Sequence, residues 1–201
     1  ADDVADLDGH GTHCAGIVCG GEVGGRSLGV APAARLIVGK VLGNRGATNE
    51  TILQALQWAA SEGATVVSMS LGIDFPGWVR RLQESGLEVE EATSLALADY
   101  RDTIRAFGKL AAFLAEQDIL VVAAAGNESR LPEYAIDVAP PAASEDIIAV
   151  GAVDSSLAVA PFSNHGCDIV APGVRITSAL PGGRFGTMSG TSMATPFVAG
   201  A

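Results

Sequence analysis

The stretch ILVVAAAGNES, residues 119–129, decides how this chain folds. Its apolar run has no polar interruption and stops at Gly126 and Asn127. Alternation of apolar and polar residues would mark a strand with one wet face. An unbroken run marks a strand covered on both faces, as in a parallel sheet. TVVSMS at 65–70 and IIAVGAV at 147–153 have the same character, and LIVGKV at 36–41 reads as another buried strand. Helical periodicity fills two intervals. Residues 49–60 place Ile52, Leu56 and Ala59 on one face with Asn49 as a cap, and Tyr100, Ile104, Phe107, Ala111 and Leu114 trace a second face. Strands alternating with helices predict an α/β fold with a doubly wound, mostly parallel sheet and helices on both faces. The acidic segment 74–99 breaks this rhythm and reads as a partly helical insertion within a single domain spanning 1–201.

Composition narrows the function. The 201 residues suffice for one α/β domain with a sizeable core, and 48% are hydrophobic. No apolar run reaches the roughly 18 residues that a membrane-spanning helix needs. The formal charge is −11 and the only lysines are Lys40 and Lys109, which argues against nucleic acid and anionic membranes as partners. Cys14, Cys19 and Cys167 offer three thiols, or one disulfide and a thiol, and no C-x-x-C zinc pattern. The chain opens in a polar run and ends inside an apolar, helix-like one, so it reads as truncated at both ends.

Three pieces carry chemistry. In GHGTHCAG, 9–16, His10 lies between glycines and His13 follows at i+3. A metal-binding pair would be spaced H-x-x-x-H with a nearby acid and further ligands, which are missing here. His13 reads as a hydrogen-bonded structural residue. His10 alone is as readily structural as catalytic. In GTMSGTSMATP, 186–196, Ser192 precedes a helix-like run, where local amides favour developing negative charge. Ser189, Thr191 and Ser192 could equally be caps. In AAAGNES, 123–129, Asn127 follows a buried strand, the edge at which open α/β sheets bind ligands. An amide there can donate to an oxyanion, or simply make a turn.

Taken in order, GHGTHCAG, SMSLG (68–72), AAAGNES and GTSMATP resemble the subtilisin-like serine proteases, the subtilases, with a flavour of the proteinase K and thermitase branches. GVAPAARLIVGKVLG (29–43) and IAVGAVDSS (148–156) extend the likeness. Subtilisin's own separations agree in part. Its oxyanion asparagine lies about 66 residues before its serine, close to the Asn127–Ser192 interval. Its histidine-to-asparagine interval is shorter than here by roughly 26 residues, matching the segment 74–99. The resemblance implies that His10 is the general base, Ser192 the acyl-forming nucleophile, and Asn127 an oxyanion donor beside the Ser192 backbone N–H. It implies that Ser70, Leu71 and Gly72 form one wall of a peptide cleft and Gly46 the opposite wall. Gly126 would flank the P1 pocket, the site for the residue that supplies the scissile carbonyl, with Ala139 near its base. That suits a large apolar P1 side chain, with Glu128 at the rim admitting a basic one. It further implies a cis peptide at Pro141, a thiol at Cys14 near the histidine, peptide or protein substrates, a propeptide or inhibitor as candidate partner, and secretion.

Two departures qualify the likeness. The family's histidine-orienting aspartate lies about thirty residues upstream on a separate strand, and only nine residues precede His10. Asp2, Asp3, Asp6 and Asp8 are too close to serve. In subtilisin its loss costs about 3 × 10⁴ in turnover and serine loss about 2 × 10⁶. This chain is therefore expected to fold poorly or to hydrolyse peptides very slowly, while the longer protein it comes from is the protease. The loop 21–27, where subtilases often hold calcium, has Val23 in place of an asparagine and Glu22 as its one carboxylate, so no strong metal site is expected and no cofactor is required. A non-catalytic, peptide-binding subtilase-like domain and a metal-binding protein built on His10 and His13 are the rival readings.

Overall fold

The computed structural model describes residues 5–43 and 46–201. After a short antiparallel hairpin of β1 (Glu22–Val23) and β2 (Arg26–Ser27), four parallel strands form its sheet in the spatial order β3 (Val66–Met69), β4 (Leu120–Ala124), β5 (Ile147–Val153) and β6 (Ile169–Pro172). Val121 lies opposite Ile147 and Met69 opposite Ala123, so the apolar runs read from the sequence pair in register. β4 shows why its run is uninterrupted. Val121 and Ala123 point into a core with Leu56, Phe107 and Leu114, while Val122 points into a second core with Val150 and Ala194. The period of two splits one strand between two cores, and both sides are dry.

Helices cover both faces. On one lie α2 (Asn49–Ser61) and α4 (Val89–Ala115), and on the other α5 (Thr191–Gly200). In α4 the buried residues Thr103, Phe107, Ala111 and Leu114 follow helical spacing onto the sheet. It stops where Asp118 turns left-handed at φ 58° and the Ile119 N–H reaches back 3.0 Å to the Leu114 carbonyl. The polar segment before it holds α3 (Phe75–Glu84), capped by the Asp74 carboxylate on the Gly77 N–H at 2.7 Å. Residue 99 falls inside α4, so that end of the expected insertion is not a structural boundary.

Other expectations need correction. Residues 36–41 form no strand, and Val38 is 67% exposed. Apolar content alone does not make a strand, and this segment has no ladder partner among the described residues. Thr48, not Asn49, caps α2: its extended backbone puts its hydroxyl on the Thr51 N–H, while the Asn49 amide donates to Thr103 Oγ1 at 2.7 Å. No helix intervenes between β4 and β5 or between β5 and β6, so strict strand–helix alternation does not hold. The short β6 and the hairpin of β7 (Ile176–Leu180) and β8 (Arg184–Met188) carry no apolar run strong enough to announce them.

Candidate active site

Helix α1 (His10–Cys19) starts at the first histidine because Asp6 makes it start there. The Asp6 carboxylate accepts the Gly9 N–H at 2.7 Å, the Thr12 N–H at 2.8 Å and the Thr12 hydroxyl at 2.6 Å, filling the orphan donors of the first turn. The Thr12 hydroxyl above all, with these amides, holds Asp6 down at a pKa of about 2 against the opposing effect of burial. Asp8 accepts the His10 backbone N–H at 3.2 Å. Both acids are thus occupied by backbone, and neither accepts from the His10 ring. Asp2 and Asp3 lie outside the described residues. Burial holds the half-buried His10 imidazole below the ordinary histidine range and the neighbouring His13 adds to that, while the charges of Asp8 and Asp6 pull the other way. Its ring makes no hydrogen bond among the described residues.

The two histidines divide. His13 is fully buried, and its Nε2 lies 3.0 Å from the Ile176 carbonyl and 3.1 Å from that of Gly186. It pins α1 to the β7–β8 hairpin. Gly16, one turn on, lies so close to Ser178 that a Cβ there would collide with the Ser178 hydroxyl.

The serine sits in the first turn of α5, which Gly190 opens without any side-chain cap. Pro196 explains what surrounds it. Lacking an N–H, Pro196 cannot bond the carbonyl four residues back, which is that of Ser192. The free carbonyl accepts instead from the Ser70 hydroxyl at 2.7 Å and the Cys14 thiol at 3.5 Å. One proline thereby ties α5 to the strand end after β3 and to α1, one turn beyond His10. The Ser192 hydroxyl donates to the Ser70 carbonyl at 3.4 Å. Burial pushes the Cys14 thiol up, partly offset by its hydrogen bond with Ser70.

Asn127 arrives from the carboxyl end of β4. Its Oδ1 accepts the Thr191 N–H at 2.8 Å and the Thr191 hydroxyl at 3.1 Å, which leaves Nδ2 as a donor with no partner among the described residues. Gly190 locates what that donor faces. A Cβ at 190 would stand 3.6 Å from the Ser192 backbone N, 3.6 Å from Asn127 Oδ1, which is taken up by Thr191, and 3.8 Å from Asn127 Nδ2. Two N–H donors therefore converge on one small space beside the serine.

Most of the expected cleft residues gather here. Gly126 donates its N–H to the Thr191 hydroxyl at 3.2 Å, Ala139 donates to the Ala125 carbonyl at 2.9 Å, and Gly72 faces the Pro140 carbonyl. Leu71 joins the hydrophobic core between Ser70 and Gly72. Gly46 stands apart: it is exposed, and among the described residues its hydrogen bonds run to Gly43. The Pro140–Pro141 peptide is cis. Glu128 is half-buried and its carboxylate is held in place. Its Oε2 accepts from Asn164 Nδ2 at 2.6 Å and from the Asn127 N–H at 3.0 Å, folded over Gly126. A cavity of about 330 Å³ lies alongside, walled by Asn127, Glu128 and Tyr134 and, from α3 and its cap, by Asp74, Pro76 and Arg80.

The loop at 21–27 does not fit a calcium cage. It folds as a two-residue hairpin, with Glu22 its single carboxylate and the Gly20 and Gly21 carbonyls already accepting the Gly29 and Leu28 N–H groups. Calcium takes about six to eight oxygens. Asn164 is the residue that sequence reasoning missed, and Thr191, weighed there only as a cap, instead ties Gly126 and Asn127 to α5. The described partners of their side chains lie 27 to 65 positions away, and no local pattern marks these roles.

The subtilase family (peptidase S8) matches residues 1–201. The Major intracellular serine protease of Bacillus subtilis (strain 168) is 35% identical over 206 residues, covering 100% of this chain and 56% of the relative. Subtilisin BL of Lederbergia lenta is 38% identical over 200 residues, covering 98% and 62%. A Thermophilic serine proteinase of Bacillus sp. (strain AK1) is 37% identical over 202 residues, covering 98% and 42%. The chain spans 42% to 62% of the length of these three relatives.

Proposed function

The chain belongs to the subtilase family, and on that premise we propose that it is the catalytic core of a serine endopeptidase. His10 takes the proton from Ser192 Oγ as that oxygen bonds to the scissile carbonyl carbon, and the carbonyl oxygen becomes an oxyanion held by Asn127 Nδ2 and the Ser192 N–H. The carbon–nitrogen bond then breaks, His10 returns the proton to the leaving amine, and water releases the acyl group from Ser192. No step is assigned to a metal or cofactor. The observation that carries this reading is the convergence of the two donors at Gly190. A negative charge developing there would meet both donors, with the Asn127 amide already held by Thr191.

The substrate is a peptide or protein, laid along 70–72 after β3, with its P1 side chain entering between Gly72, Gly126 and Ala139. A propeptide or protein inhibitor would use the same cleft. The wall that α3 adds to the adjoining cavity brings Arg80 within reach of residues flanking the scissile bond. Secretion does not follow from membership, since one relative is named as intracellular. The carboxylates of Asp6 and Asp8 hold the start of α1 and do not orient the His10 ring; a non-catalytic, peptide-binding subtilase-like domain is the second reading.

Hydrolysis of peptide anilides separates the two. Slow turnover is expected that falls by about a further 10² in Ser192→Ala, since the serine and aspartate losses of about 2 × 10⁶ and 3 × 10⁴ overlap rather than add, and that also falls in Asn127→Ala, by up to about 10²–10³. Peptide binding without any Ser192-dependent cleavage would establish the binding module instead.

A further inference from the structure

We propose that Asn164 is the positioning residue of the oxyanion loop, acting on the reaction through Asn127. It rests on the reading of Asn127 as a donor to the oxyanion.

Residues 126–129 leave the end of β4 and enter no ladder, yet part of this backbone is buried and its N–H groups need acceptors. Asn164 supplies them from across the fold. Its Oδ1 accepts the Glu128 N–H at 3.0 Å, the Ser129 N–H at 3.1 Å and the Ser129 hydroxyl at 3.2 Å. Its Nδ2 donates to Glu128 Oε2 at 2.6 Å and to the Asp137 carbonyl at 3.2 Å. Its own backbone N–H donates to the Gly126 carbonyl at 3.1 Å. The side chain is 2% exposed and both amide ends are fully engaged. Position 126 must also be glycine: φ is +112°, and a Cβ would collide with the Asn164 amide.

These bonds form a relay with one output. Asn164 fixes the Glu128 carboxylate, and the same Oε2 that accepts from Asn164 accepts the Asn127 backbone N–H. Thr191 fixes the Asn127 side chain from α5. The backbone of Asn127 is thus set from one side and its amide from the other, so Nδ2 needs no rearrangement when charge develops. A donor held by a supporting shell contributes more than one free to rotate. If Asn164 merely filled the core, its replacement would lower stability and leave turnover per folded molecule unchanged.

Asn164→Asp keeps the shape and converts the donor facing Glu128 into a second acceptor. With Ser192 sites counted by fluorophosphonate titration, so that only folded enzyme enters the rate, kcat is expected to fall about 10²-fold with KM within about twofold, a loss of oxyanion stabilisation rather than of binding. The decisive arm is the double-mutant cycle. In an Asn127→Ala background the same change is expected to cost less than about threefold, because residues acting as a unit do not add. Asn164→Ser carries the cycle if the aspartate variant does not fold. Equal losses in both backgrounds, or loss of stability with unchanged kcat, would overturn the inference. Should Asn127→Ala leave kcat untouched, the oxyanion reading itself falls, and the two failures are told apart.

Discussion

A methyl group at position 190 would stand 3.6 Å from the Ser192 N and 3.8 Å from Asn127 Nδ2, close enough to occupy the space those donors face. The backbone there is extended, with φ 160° and ψ 161°, so alanine can adopt it. Gly190→Ala is therefore expected to fold and melt like the parent while kcat/KM falls at least about 10²-fold, the scale of losing one oxyanion donor. Parallel thermal melts and anilide assays check it. Asp6 supports a second expectation. Its pKa of about 2 lies below the unfolded value, so its contribution is fully present above that unfolded value, near pH 4. The contribution disappears as pH falls from there through about 2. Asp6→Ala should lose about 1 kcal/mol at pH 7, as for a lost helix cap, and should flatten the acid limb of stability measured by urea unfolding. At this scale the motifs were legible because their signs are local: His10 lies between glycines, Asn127 follows an apolar run and Gly126, and Ser192 stands among small residues, whereas the roles of Asp6 and Pro196 emerged only from the structure. The roles of Asn164 and Thr191 were not legible either, because a side chain's value there depends on partners far along the chain.

Among elements, strands were legible where the sheet covers both sides. The reading 147–153 matches β5 residue for residue, and 119–125 overhangs β4 by one residue at each end. The equally apolar 36–41 failed, because a strand also requires a neighbour, and composition does not record neighbours. Helix α3 shows how an element outside the expected alternation meets the site. Its capping Asp74 carboxylate is occupied by Gly77, and the Glu128 carboxylate across the cavity by Asn164 and Asn127. The Arg80 guanidinium has no partner among the described residues, and the described ion pair is Arg105 with Asp102. Replacing Arg80 by an acid takes the cavity's charged lining, Asp74, Glu128, Arg80 and Arg130, from balanced to net negative without touching the nucleophile. Arg80→Glu should shift the kcat/KM ratio of peptides with lysine against glutamate beside the scissile bond by about tenfold towards lysine, or roughly 1.4 kcal/mol of discrimination, while rates on apolar peptides stay within about twofold. An unchanged ratio would make α3 a solvated decoration.

For the whole molecule, one sheet with a core on each side sets the geometry. Helices α2 and α4 close one face and α5 the other, and the site forms at the carboxyl ends of β3 and β4, where α1 also packs against α5. Fold class and site location were legible together, since four motifs in one order require one arrangement. The orienting acid was not, because the described carboxylates near His10 serve α1 instead. The central claim is that His10 activates Ser192, and fluorophosphonate labelling followed by peptide mapping tests it most directly. The expected result is a single adduct on Ser192, formed at least about 10²-fold more slowly in His10→Ala, the lower end of general-base contributions. An unlabelled Ser192, or labelling that proceeds equally fast without the imidazole, would contradict the account.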